Sequence, residues 1–215
     1  MQTDLFGDAG LFPLQQQLAE GVCLLSGQAE SSMPAIWQAV SDVLQQAPLR
    51  QMQTAGGHTM SVSMSNCGDL GWISDRHGYR YSRKDPQTGQ PWPAMPAVLK
   101  ELARTWAAQA GFDNFVSNAC LINCYQAGSK MSLHQDRDER DYTHPIVTLS
   151  LGLPARFMLG GLLRQDPCCK LLLQHGDVLV FGGPARLRFH GIMPVADGEH
   201  ALLGKRRISL TFRRA

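Results

Sequence analysis

A chain of 215 residues, 44% apolar and 18% charged, suits one globular domain with a full core, and no apolar run in it approaches a membrane span. The formal net charge of +2 neither demands nor excludes a nucleic acid, because placement outweighs the sum. The acidic start, Met1 to Asp8, lacks the cationic opening of a secretory signal, so a cytoplasmic protein with no membrane partner is expected.

The first predicted element is a helix. Ser31-Ser32 offers an N-cap, Pro34 sits in the first turn, and Ile36, Val40, Val43, Leu44 and Ala47 recur at helical spacing until Pro48 stops the run. A second helix starts near Pro96, carries Val98, Leu99, Leu102, Ala103 and Trp106 as its stripe, and closes at Gly111. Both read as scaffold covering one face of a sheet.

Between them, from about 50 to 93, lies a stretch rich in Gly, Ser, Asn and aromatic residues, including Gly71-Trp72 and Gly78-Tyr79-Arg80-Tyr81. Its aromatics argue against disorder, and it reads as short hairpins that cover a substrate. After Gly111 short strands follow one another: Ala119–Tyr125, Ile146–Leu153, Arg156–Leu159, Lys170–Gln174, Asp177–Phe181, Arg188–Ile192 and Arg207–Arg213. Gly and Pro punctuate them, which predicts a sandwich, barrel or jelly roll. Basic residues thicken along the same half. The six cysteines (Cys23, Cys67, Cys120, Cys124, Cys168 and Cys169) contain no Cys-x-x-Cys pair and fit a reducing compartment.

The chemistry is carried by His134-Gln135-Asp136. On an extended strand residues i and i+2 share a face, so an imidazole and a carboxylate can reach one metal. His190, on a late strand, is available as a third ligand, and two His plus one carboxylate make the facial triad of non-haem iron(II) oxygenases. A second triplet, His175-Gly176-Asp177, lies between two apolar runs and reads as a hairpin turn. In the last strand Arg207, Ser209, Thr211 and Arg213 alternate with Ile208, Leu210 and Phe212. Its polar face either binds an anion inside a barrel, a dicarboxylate suiting two guanidiniums, or is the exposed cationic face of an edge strand.

These residues, taken with several longer stretches, resemble the AlkB family of alkylated-DNA repair dioxygenases, and its bacterial members in particular. The resemblance runs from Asp4-Leu5-Phe6 to Arg213. Its most specific stretches are Asn66-Cys67-Gly68 with Leu70-Gly71-Trp72, Pro91-Trp92-Pro93-Ala94-Met95-Pro96, Asn118 to Asn123 with Tyr125, Leu133-His134-Gln135-Asp136 with Asp138-Glu139, and Leu210-Thr211-Phe212-Arg213. It implies a mainly β fold with flanking helices (α+β): a double-stranded β-helix, or jelly-roll, core over about 112–215. An N-terminal nucleotide-recognition lid over about 50–93 joins it within one catalytic domain, 1–215.

The resemblance further implies His134, Asp136 and His190 as catalytic iron ligands. It implies Asn123, Tyr125, Arg207 and Arg213, with Ser209 and Thr211 on the same strand, as the holders of 2-oxoglutarate. Trp72, Tyr79, Tyr81, Asp138 and Arg164 are implied as contacts to the damaged nucleotide. The implied reaction consumes Fe(II)-bound O2 and 2-oxoglutarate and demethylates bases of the 1-methyladenine and 3-methylcytosine type. Its substrate is single-stranded DNA by preference, with double-stranded DNA and RNA as further substrates, and a monomer releases the methyl carbon as formaldehyde. The chain departs from the family pattern at Cys124, where Arg is common, at Ser209, where Asn is common, and at His58, where the lid often has an aromatic. These positions bear on 2-oxoglutarate affinity and lid closure. Two other readings stand beside this one: a 2-oxoglutarate oxygenase acting on protein or a small molecule, and a metal-free jelly roll that binds nucleic acid.

Overall fold

The computed structural model describes residues 15–215, so the acidic start and Asp4-Leu5-Phe6 lie outside it. In chain order the elements are β1 (Gln15–Ala19), β2 (Val22–Leu25), α1 (Met33–Gln46), β3 (Arg50–Gln53), β4 (Thr59–Gly68), β5 (Gly71–Asp75), β6 (Gly78–Ser82), α2 (Ala97–Gln109) and β7 (Ala119–Gln126). They continue with β8 (Met131–His134), β9 (Ile146–Gly152), β10 (Ala155–Leu159), β11 (Cys169–Leu173), β12 (Val178–Phe181), β13 (His190–Ile192) and β14 (Arg206–Arg213).

Two antiparallel sheets face each other as a double-stranded β-helix. The large one runs β1-β2-β12-β9-β14-β7-β4-β3, and the small one β11-β10-β13-β8. Strand alternation divides the apolar residues between two layers. Cys120, Ile122 and Cys124 of β7, with Ile208, Leu210 and Phe212 of β14, pack outward against Ile36, Val40 and Val43 of α1 and Leu99, Ala103 and Trp106 of α2. Leu121 and Tyr125 point the other way, into a core shared with Phe157, Leu159 and Ile192 of the small sheet. Both helices therefore cover one face of the large sheet, as their stripes predict.

The strands after Gly111 fall where the alternation puts them, to within a residue or two at most ends. β1, β2 and β8 are additions that no strong period announces. The Ser31-Ser32 cap is replaced by a 3-10 turn, Glu30–Ser32, that leads into α1, and Ser32 makes no side-chain cap bond. The 50–93 segment is of two kinds. β4 pairs with β7 along Ser63–Gly68 and β3 with β4, so both extend the large sheet, while β5 and β6 form a separate hairpin.

β14 is not an edge strand. It pairs with β7 over its whole length and with β9 from Arg207 to Phe212. At the end of β9, Gly152 adopts φ +84, and a Cβ there would lie 2.4 Å from the Arg206 carbonyl oxygen. A Gly152→Ala protein is expected to lose more than ~1–2 kcal/mol, the left-handed penalty alone. Each kcal/mol lowers the melting midpoint by about 2–4 °C at this size. An unaltered melting curve would show that the strand end relaxes freely.

Candidate active site

The interior between the sheets opens as a cavity of about 660 Å³. His134 ends β8 and His190 begins β13, and the two are direct cross-strand partners. Asp136 follows β8 in the loop. One donor atom from each of the three residues lies within 4.8 Å of the others. Asp136 Oδ1 is 3.6 Å from His134 Nε2 and 3.9 Å from His190 Nε2.

Each ring is turned by its own backbone. His134 Nδ1 lies 2.9 Å from the Ser132 carbonyl and His190 Nδ1 lies 3.1 Å from the Arg188 carbonyl. A carbonyl takes the Nδ1 proton and so leaves each Nε2 lone pair free toward Asp136. Burial, and then the neighbouring His134, hold His190 down to about 4, so it is neutral at physiological pH. Burial works against the Asp136 carboxylate, but Arg213 and the two histidines outweigh it and hold it well below the usual carboxylate range. Two imidazoles and one carboxylate, all anchored, fit a divalent iron.

Beside them the cavity wall is polar and cationic. The register sets Arg207 opposite Tyr125 and Ser209 opposite Asn123 on the β14–β7 ladder, and Thr211 opposite Thr148 on β9. All these side chains line the cavity. Arg207 is buried; it donates from Nη2 to Ser150 Oγ at 2.9 Å and lies over the Tyr125 ring at 5.0 Å. Among the described residues its Nε and Nη1 have no partner, and neither has Asn123 Oδ1. A buried guanidinium with two idle nitrogens is costly alone and fits a carboxylate. Arg213 donates from Nε and Nη2 to Asp136 Oδ2, at 2.9 and 2.7 Å. Ser209 faces this site, whereas Cys124 turns outward to the helices and His58 is exposed in the β3–β4 turn.

At the mouth, Trp72 and Tyr79 of the hairpin stack with ring centroids 5.5 Å apart, and the Trp72 indole N–H donates to Asp138 Oδ2 at 2.7 Å. Arg164 lines the same opening. Tyr81 sits behind it rather than in the lining, with its hydroxyl donating to Glu139 at 2.6 Å. The second triplet is a turn: His175 Nδ1 accepts the Gly152 N–H, and the Asp177 carboxylate accepts the N–H groups of Gly27 and Gln174.

Sequence reasoning missed Arg186. Buried with Glu139, it donates to that carboxylate at 3.1 Å and to the carbonyls of Asp136 and His144 at 3.1 and 3.2 Å. It thereby clamps the irregular loop that carries Asp136. Its setting in a Gly-Gly-Pro turn has no period that could have marked it.

Residues 21–213 match the model of the 2OG-Fe(II) oxygenase superfamily. Over 212 residues, 99% of this chain and 97% of the relative, the sequence is 52% identical to alpha-ketoglutarate-dependent dioxygenase AlkB of Escherichia coli strain K12. The chain belongs to the AlkB family of 2-oxoglutarate- and iron(II)-dependent dioxygenases. It is 31% identical over 133 residues, 60% of its own length and 34% of the relative's, to the human nucleic acid dioxygenase ALKBH1. The structure of OsALKBH1 superposes with a TM-score of 0.80 at 25% identity, covering 94% of this chain and all of that one. As an AlkB-family enzyme it works with iron(II), 2-oxoglutarate and O2, which excludes the metal-free binder.

Proposed function

We propose that this dioxygenase removes alkyl groups from the pairing-edge nitrogens of nucleobases, of the 1-methyladenine and 3-methylcytosine type. Single-stranded DNA is the preferred substrate, duplex DNA and RNA are further ones, and the outcome is direct-reversal DNA repair. The observation that carries this reading is an aromatic pair and a carboxylate at the mouth of the cavity that holds the His-Asp-His set. A relative named as a nucleic acid dioxygenase supports it.

In this reading His134, Asp136 and His190 hold iron. Asn123, Tyr125, Arg207, Ser209, Thr211 and Arg213 hold 2-oxoglutarate. When bound, iron and 2-oxoglutarate activate O2 to oxidise an alkyl C–H bond, and the hydroxylated carbon leaves as formaldehyde, restoring the base. The β5–β6 hairpin within 50–93 acts as the recognition lid, over a core in which β1 to β4 join the strands that follow residue 112. Trp72 and Tyr79 offer π faces to a base that is cationic when methylated on its pairing edge. Asp138 keeps Oδ1 for an exocyclic amino group, Arg164 meets a phosphate, and Tyr81 steadies the hairpin through Glu139. Such a lesion has already lost its pairing, so it leaves the stack cheaply. The proposed enzyme is a monomer, and the free cysteines suit the reducing cytoplasm.

The test tracks succinate and formaldehyde together on one methylated single-stranded oligonucleotide. The wild type should release both, and formaldehyde only when 2-oxoglutarate is present. A stacked aromatic contributes roughly 1–3 kcal/mol per base, so Trp72→Ala should weaken lesion binding by about one to two orders of magnitude. Succinate should still form without formaldehyde. Equal affinity and equal formaldehyde in both proteins would make Trp72 a packing residue and place the base elsewhere.

A further inference from the structure

The most exposed large apolar side chains among the described residues are adjacent: Leu162 at 55% and Leu163 at 57%. They stand at the tip of the loop between β10 and β11. We propose that Leu162 and Leu163 form a wedge that enters the base stack of duplex DNA beside the lesion; the proposal rests on the nucleobase reading above.

The first support is position. Arg164, the next residue, lines the cavity mouth, and the Leu162 carbonyl accepts from Gln135 Nε2 at 3.5 Å. Gln135 lies between the ligand residues His134 and Asp136, so the tip is tied to the strand end that carries the chemistry. The second is rigidity. Gly160 N–H donates to the Phe189 carbonyl at 2.7 Å, Phe189 N–H to the Gly161 carbonyl at 2.8 Å, and Arg188 Nε to the Gly160 carbonyl at 2.6 Å. Above that base the turn closes on itself: Leu163 N–H donates to Asp166 Oδ2 at 2.9 Å, and Asp166 N–H to the Leu163 carbonyl at 3.1 Å. A pinned loop holds two leucines in water, where a flexible one would fold them under.

The third support is charge. Arg164 follows the leucines directly, and Arg164, Arg137 and Lys130 are exposed and line the same cavity, cations suited to a phosphate backbone. Apolar side chains between base steps are a general means of unstacking a duplex, and a flipped base leaves a gap such side chains can fill. Trp72 and Tyr79 would receive the base while the leucines replace it in the stack. A single strand has no stack to open, so the wedge matters only for duplex substrate.

The experiment compares wild type with a Leu162→Ser/Leu163→Ser double variant on one 1-methyladenine oligonucleotide, single-stranded and annealed. Both side chains are exposed, so the variant should melt with the wild type. Its rate on the duplex should fall at least tenfold, with its single-strand rate within twofold. A 2-aminopurine beside the lesion in the duplex should brighten with wild type and not with the variant. An unchanged duplex rate, or an equal fall on both substrates, overturns the wedge. A wild type inactive on the single strand overturns the nucleobase reading, and the wedge with it.

Discussion

Alanine in place of His134, Asp136 or His190 is expected to bring turnover to background and to weaken iron binding. Two protein ligands seldom hold iron(II), and each donor here converges on the same point, within 4.8 Å of the other two. The His190 loss should be the cleanest. Its ring is buried between Phe157 and Phe181, and removing it leaves an apolar gap rather than a rival donor. His175→Ala is the control, since its Nδ1 accepts the Gly152 N–H in a turn and points at no other member of the set. Metal content after anaerobic loading, read beside formaldehyde release, tests the assignment. Iron lost from His175→Ala and kept by His134→Ala would reverse it.

Arg207→Ala should raise the 2-oxoglutarate concentration for half-saturation while leaving iron binding intact. Removing one member of a buried charge pair costs about 2–5 kcal/mol, on the order of 30-fold to several-thousandfold. The separation should be sharp because Arg207 touches Ser150 and Tyr125 but none of His134, Asp136 and His190. Arg213→Ala is a poorer discriminator: its guanidinium donates twice to Asp136, so its loss disturbs both sites. An Arg207→Ala enzyme with the wild-type 2-oxoglutarate saturation curve would remove this strand from the co-substrate site.

Strand alternation and helix spacing are local properties, and they showed through wherever a segment buries one clear face. β14 is the fullest case, with its polar and apolar sets separable by eye. Whether that polar face looked inward or outward depended on neighbours far along the chain, and only the pairing with β7 and β9 decides it. The His134 and Asp136 pair was readable from its spacing, but β8 ends at His134, and the loop held by Arg186, not a shared strand face, brings the Asp136 carboxylate beside the ring. His190 had no such mark and needed the resemblance. The Arg186 clamp, the division of 50–93 between sheet and hairpin, and the retreat of Tyr81 behind the mouth are tertiary facts. β8 is four residues long and half exposed, too short for its period to register.

The two faces of β14 have a consequence for how this enzyme can vary. Substitutions on the strand act one side at a time: the inward set alters the cavity lining proposed to hold 2-oxoglutarate, the outward set alters packing against the helices. A single inserted or deleted residue acts on both at once, because it slides every later side chain to the opposite face. The guanidinium of Arg213 would then be driven toward Trp106, and Phe212 into the hydroxyl-lined interior. With ladders fixed on both flanks, the strand has no neighbouring register in which to recover. Length variation in this family is therefore expected in its turns and in the hairpin over the mouth, and not in this strand.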